Sequence, residues 1–215
     1  MYSKRNLIVN HLKEHMTVYI FMIILFLTGI IFGAVLVNSM NFIQKQDLFF
    51  YLERFFGQVA EGSYIDKGDI LKSSFFYHVK YLLLLLILGL SVIGLPIVWV
   101  LLFLKGLVVG FSVGFLVNQI GTKGFLIAAF SIAPQNIAVI PVYIIAGSLA
   151  MIFSLTLLGK LFTRKVSQPI IQPLAQYLIA FSLLIVVSFI ASALEAYVAS
   201  GAMESLIMSF SSSEG

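Results

Sequence analysis

Between Tyr81 and Leu158 the chain runs 78 residues with only two charged side chains, Lys105 and Lys123. At about 1.5 Å of rise per residue, roughly 20 apolar residues cross the hydrocarbon core of a bilayer, so this stretch holds several crossings. A composition that is 60% hydrophobic and 10% charged agrees. The apolar runs do not alternate in polarity as barrel strands do. The sequence therefore predicts an all-α, polytopic integral membrane protein with a single transmembrane domain.

Five crossings are predicted, and the fourth is too long for one upright helix unless it breaks at Pro134. The predicted spans are 17–37, 81–104, 106–120, 125–158 broken at Pro134, and 174–194. The segment from Phe125 to Ala133 either crosses or re-enters on the same side. With five crossings the basic linker containing Lys160, Arg164 and Lys165 lies on the cytoplasmic side together with the basic N-terminus. The C-terminus and the loop 38–80 then lie outside.

The outer loop contains an amphipathic helix, because Leu48, Leu52 and Phe55 recur on one helical face. One hypothesis is that this helix only rests on membrane lipid or on the spans. The other is that it forms a docking face for a partner outside the cytoplasm. The residues predicted for this docking face are Leu48, Phe49, Tyr51, Leu52, Phe55 and Phe56.

Glycines recur every four residues in two predicted spans, a spacing that lets helices approach closely. They are Gly29 and Gly33 in the first, and Gly106, Gly110 and Gly114 in the third. The same face would serve in a homo-oligomer or within one chain. Ser112 completes a G-x-S-x-G pattern, but a hydrolase elbow requires a strand before the serine. The three histidines are placed outside the spans, so we expect no enzyme, and no metal or cofactor pattern is present.

Amides gather around the predicted break. Asn118, Gln119, Gln135 and Asn136 flank Pro134, an arrangement that some transporters use at substrate sites. The alternative is that they satisfy backbone groups released by proline. No predicted span contains an ionisable side chain in its interior, which argues against coupling to protons or cations. No basic patch supports binding of nucleic acid.

Several segments together resemble stage II sporulation protein M of endospore-forming bacteria. They are Phe103 to Gln119, Lys123-Gly124-Phe125, Pro134-Gln135-Asn136, Gly29 to Ala34, Val37-Asn38-Ser39, Gln44 to Leu48, Ser74-Phe75-Phe76 and Gly94-Leu95-Pro96. The wider family often has Pro-His-Gly followed by a glutamate at the break. Here Gln135 and Asn136 replace the histidine and glycine, and Val139 lies near the position of the acid.

The resemblance implies a role in engulfment, when the mother-cell membrane migrates around the forespore. It implies a scaffold that recruits and retains stage II sporulation proteins D and P, which cleave peptidoglycan, at the septum and engulfing membrane. A small-solute transporter or channel using the amides is the alternative function.

Overall fold

The computed structural model describes residues 10–60, 67–162 and 170–199, and this part of the chain is helical without strands. Five helices are long and apolar enough to cross a membrane. The predicted all-α fold with five spans is thus confirmed. The elements are α1 (Met16–Ser39), α2 (Phe42–Ala60), α3 (Lys67–Gly89), α4 (Gly94–Ile127), a π-helical turn (Ala128–Ile132), α5 (Ala133–Phe162), α6 (Ile171–Leu194) and a second π-helical turn (Glu195–Ala199).

The predicted span 81–104 is wrong, because the chain turns between Gly89 and Gly94. Pro96 lies in the first turn of α4, where a helix needs no backbone N–H and proline is tolerated. Residues 67–80, which were expected in the outer loop, instead form the first half of α3. The predicted span 106–120 is likewise not separate, since Gly106 lies inside α4.

The chain reverses direction at Gly121, whose φ of 61° and ψ of −131° interrupt α4. A Cβ atom on Gly124 would lie 3.2 Å from the backbone nitrogen of Val117. In a straight helix those residues would be about 10 Å apart along the axis. The chain from residue 122 therefore runs back along α4, and Phe125 to Ala133 begins this returning helix rather than forming a hairpin of its own. Around Pro134 the expected break is a π-helical turn that leads directly into α5.

Helices α1 and α4 are parallel and touch backbone to backbone. The predicted glycines all lie at this contact: a Cβ atom on Gly33 would sit 2.6 Å from the nitrogen of Phe111, and one on Gly114 would sit 3.2 Å from Cα of Ala34. Gly29, Gly106 and Gly110 are equally close to backbone of the facing helix. Within this chain the glycine face is thus occupied by the chain's own helices. The register places Lys105 level with Gly29, close to the middle of α1.

The remaining bundle is formed by α3, α5 and α6, which surround a buried core that includes Leu85, Tyr143 and Phe181. Hydrogen bonds join the helices at the end of the bundle where α3 finishes. The Tyr177 hydroxyl donates to the carbonyl of Leu86 at 3.0 Å. The Ser154 hydroxyl is 2.8 Å from the carbonyl of Gly89. The Leu86 carbonyl also accepts the backbone N–H of Leu90 at 3.3 Å, so the tyrosine adds a second bond there, while the serine serves the last carbonyl of α3.

Candidate functional site: a polar pocket between four helices

Three ionisable side chains meet inside the bundle: His78 from α3, Lys105 from α4 and Glu195 from the turn after α6. The α1–α4 register places Lys105 halfway along the crossing. The expectation that no span contains an interior ionisable residue is therefore wrong. Ionisable groups at membrane depth are costly and usually mark a function.

His78 is held on both sides of its ring. The residue is only 6% exposed. Its Nδ1 lies 2.5 Å from the hydroxyl of Tyr143, which is fully buried on α5. Its Nε2 lies 3.7 Å from a carboxylate oxygen of Glu195 and makes no hydrogen bond within the part of the chain that the structure describes. The Tyr143 bond fixes the ring, so Nε2 faces Glu195 and makes only this longer contact among the described residues.

Glu195 is positioned by serines. Ser74, one turn before His78 on α3, donates its hydroxyl to a Glu195 carboxylate oxygen. The Ser74 oxygen is also 3.4 Å from the Ser192 hydroxyl, which donates in turn to the carbonyl of Ser188. The Glu195 side chain keeps about a third of its surface exposed. This carboxylate therefore ties α6 to α3 while one edge faces the pocket.

Lys105 is enclosed by aromatic rings. Its Nζ donates to the Tyr77 hydroxyl at 2.9 Å and lies 4.4 Å from the centre of that ring. The ring centres of Tyr143 and Tyr81 are 5.0 and 5.4 Å away. A cation over a ring gains about 0.5–1 kcal/mol at an exposed site and about 2 kcal/mol when desolvated, and Tyr77 is 56% exposed. Three rings therefore lower the cost of keeping an ammonium group at this depth.

These side chains surround a cavity of about 390 Å³, a volume within the usual range of small-molecule sites. We call it the polar pocket, and its lining is Ser73, Ser74, Tyr77, His78, Lys105, Asn136, Val139 and Glu195. It offers donors from Lys105 and, in one tautomer, from His78, and acceptors from Glu195. Chemically it can bind a polar group or exchange a proton.

The predicted amide cluster is divided between two places. Asn118 and Gln119 lie near the reversal, where Gln119 donates to Asn118 and Asn118 donates to Asn38 at 3.4 Å. Asn136 lies in the polar pocket instead, and its amide donates to the carbonyl of Ile132 at 2.8 Å. The side chain of Gln135 is outside the described residues. The predicted polar path through all these amides and Pro134 is therefore not assembled.

The predicted docking residues lie on α2, which packs beside the reversal. Leu52 contacts the small core formed by Leu116, Ile127 and Ala128. Leu48 and Phe49 are half-buried with it, whereas Tyr51 is exposed. The side chains of Phe55 and Phe56 are outside the described residues.

Ser112 sits inside the continuous helix α4, so its surroundings differ from those of a hydrolase elbow. Sequence reasoning missed the polar pocket because it placed His78 outside the membrane and Lys105 at a boundary. The available signal was Gly94-Leu95-Pro96, which is typical of a helix start. Starting a span there would have moved Lys105 into its interior.

The fold and the pocket define a multi-pass helical membrane protein with ionisable side chains inside its bundle. The family model for stage II sporulation protein M matches residues 22–200. The chain belongs to this family, as its sequence predicted, and is a sporulation-related membrane protein. Comparisons with curated proteins and with solved structures gave no significant match.

Proposed function

We propose that the protein is a membrane scaffold that recruits and retains peptidoglycan-degrading enzymes at the septum and engulfing membrane during endospore formation. The observation that carries the proposal is an aromatic surface on α2, seated on the bundle at the end predicted to face outward. Stage II sporulation proteins D and P are the partners that the family resemblance implies. The family is not known for enzymatic activity, and the proposed role is recruitment rather than catalysis.

Helix α2 presents two different faces. Leu52 packs against the bundle, and Leu48 and Phe49 on the same side of the helix are half-buried. Phe50 and Tyr51 turn away and are 59% and 67% exposed, and Arg54 lies 5.9 Å from the centre of the Phe50 ring. Exposed aromatic side chains with a neighbouring arginine are typical of surfaces that bind other proteins.

Affinity purification from sporulating cells tests the scaffold. The full-length protein is solubilised in detergent, and the wild type is compared with a variant carrying Phe50→Ala and Tyr51→Ala. A matched control carries Leu183→Ala and Val186→Ala, which alter two comparably exposed apolar side chains on α6. We expect peptidoglycan hydrolases to co-purify with the wild type and the control but not with the α2 variant.

Two other outcomes count against this assignment. Equal recovery of hydrolases with all three proteins would remove α2 as the docking face. Absence of hydrolases from the wild type, with the protein itself intact on size-exclusion chromatography, would contradict the scaffold altogether.

A second candidate function is passage of a small polar solute, and the polar pocket is the observation that favours it. His78, Lys105 and Glu195 are interior ionisable groups of the kind that transporters use. Flux of solutes through purified protein in liposomes, reduced by Asn136→Ala, would support transport over scaffolding.

A further inference from the structure

An apolar groove lies beside the polar pocket on the outer half of α4. Its volume is about 630 Å³. It is lined by Val109 and Val113 of α4 and by the returning helix from Phe125 to Pro141. Val109 and Val113 flank Phe111, whose backbone meets Gly33, so the groove lies at the same depth as the outer half of α1. Its occupant must therefore be a molecule within the membrane.

The groove has the dimensions of a helix contact. Its wall from 125 to 141 extends about 24 Å along the returning helix. A neighbouring helix of that length would make about four turns of contact. Ala128, Ala129 and Ala133 line it, and small side chains allow the backbone of another helix to approach.

The groove adjoins the polar pocket, because Asn136 lines both cavities. In that pocket His78 is more than nine-tenths buried, and its Nε2 makes no hydrogen bond within the described segments. This nitrogen lies 3.7 Å from Glu195, beyond hydrogen-bond distance, and a buried polar atom without a hydrogen bond costs about 1–3 kcal/mol. A lipid acyl chain in the groove would supply no hydrogen bond.

We infer that this groove seats a transmembrane helix of a recruited partner, with one polar side chain of that helix entering the polar pocket. The inference rests on the proposed scaffold and specifies how a partner would be held within the membrane. Lys105 and Glu195 already give the pocket one cation and one carboxylate. An uncharged amide or hydroxyl can bond there, whereas a further ion would need a counter-charge. The partner side chain is therefore an amide or a hydroxyl.

Photo-crosslinking in sporulating cells tests this arrangement. A photoreactive amino acid replaces Ala129 in the groove or, as a control, Leu183 on the exposed face of α6. We expect position 129 to capture the transmembrane segment of a peptidoglycan hydrolase, mapped by mass spectrometry, and position 183 to capture lipid. In the Asn136→Leu background the yield at position 129 falls at least about tenfold, equal to about 1.4 kcal/mol.

A second variant distinguishes loss of the groove from misfolding of the protein. Ala129→Trp fills the groove and should abolish hydrolase co-purification, whereas Leu183→Trp should not. Both proteins are required to elute as the wild type does on size-exclusion chromatography. Lipid alone, or a second copy of this chain, crosslinked at position 129 overturns the inference. Full co-purification with Ala129→Trp would also overturn the inference, but it would leave the proposed scaffold intact. Absence of hydrolase from the wild-type purification would refute the scaffold itself.

Discussion

The two sides of the bundle are held by different kinds of contact. Helices α1 and α4 meet through glycines, with backbone against backbone and no hydrogen-bonding side chain needed. Helices α3, α5 and α6 meet through the bonds of His78 with Tyr143 and of Ser74 with Glu195. The first contact depends on the absence of side-chain atoms. The second depends on particular polar atoms at particular positions.

This difference indicates that the two sides of the bundle have different roles. A glycine contact has one tight arrangement and suits a static frame. A network of hydrogen-bonded ionisable groups costs free energy at membrane depth and is retained where it does something else. The α1–α4 pair is thus the frame, and the polar pocket is the side on which the proposed ligand or partner would act.

The largest expected effect comes from Gly110→Leu. A Cβ atom there would lie 2.7 Å from Cα of Ile30, so α1 and α4 would have to separate. We expect a loss of about 3 kcal/mol or more, because overpacking against backbone cannot be relieved by side-chain movement. Thermal unfolding in detergent measures it. Gly159→Leu is the matched control, since a Cβ atom there meets nothing within 4 Å. Equal stability of the two variants would refute the frame.

The polar side is tested by Tyr143→Phe, which removes only the hydroxyl bonded to His78. We expect a loss of about 1–3 kcal/mol, because the buried imidazole nitrogen keeps no partner. Tyr197→Phe, at a tyrosine with an exposed side chain, should change little. In a His78→Leu background Tyr143→Phe should cost much less, since coupled residues are not additive. Additive losses would show that the two residues act separately.

The reversal between the two sides is tested by Gly121→Ala. Because nothing lies within 4 Å of the added Cβ atom, the loss comes from backbone conformation alone. We expect about 1–3 kcal/mol, the cost for a residue with a side chain of a positive φ combined with a ψ that only glycine adopts readily. Gly57→Ala, also without contacts but in regular helix, should be neutral or slightly stabilising by the same unfolding assay. A Gly121→Ala variant as stable as the wild type would place the reversal elsewhere.

The smallest effect is expected from Ser154→Ala, at the turn between α3 and α4. The hydroxyl is within 2.9 Å of the carbonyls of Gly89 and Ser91, which join α3 to α4. Its loss should cost about 1 kcal/mol. The control is Ser182→Ala, whose exposed hydroxyl donates to its own helix. The backbone hydrogen-exchange rate of residues 89–94 should rise in Ser154→Ala and not in Ser182→Ala. An unchanged rate in Ser154→Ala would mean that this bond does not hold the turn.

The frame could be predicted from the sequence, whereas the pocket could not. Glycines at intervals of four identify a helix-packing face because the spacing is local. The pocket instead joins His78 to Tyr143 and Ser74 to Glu195, pairs separated by 65 and 121 residues. No local period encodes such pairs.

The predicted span boundaries were also wrong for a physical reason. The turn at 90–93 is as apolar as the helices that it joins, and it carries no charge that would mark an interface. Gly94 and Pro96 were the only local signs, and proline is tolerated within membrane helices too. Once that turn was missed, His78 and Lys105 were assigned to the wrong depth.

The π-helical turn at Ala128–Ile132 has a consequence for the angular phase of the returning helix. Ala128 and Asn136 are eight residues apart, which in a regular α-helix puts their side chains about 80° from each other. One extra residue in a π-helical turn removes about 100° of that twist and brings them within about 20°. Both residues line the same groove. Deleting one residue here would keep the helix and its hydrophobicity yet rotate Asn136 away from the pocket, so the length of this turn sets which face of the helix carries polarity.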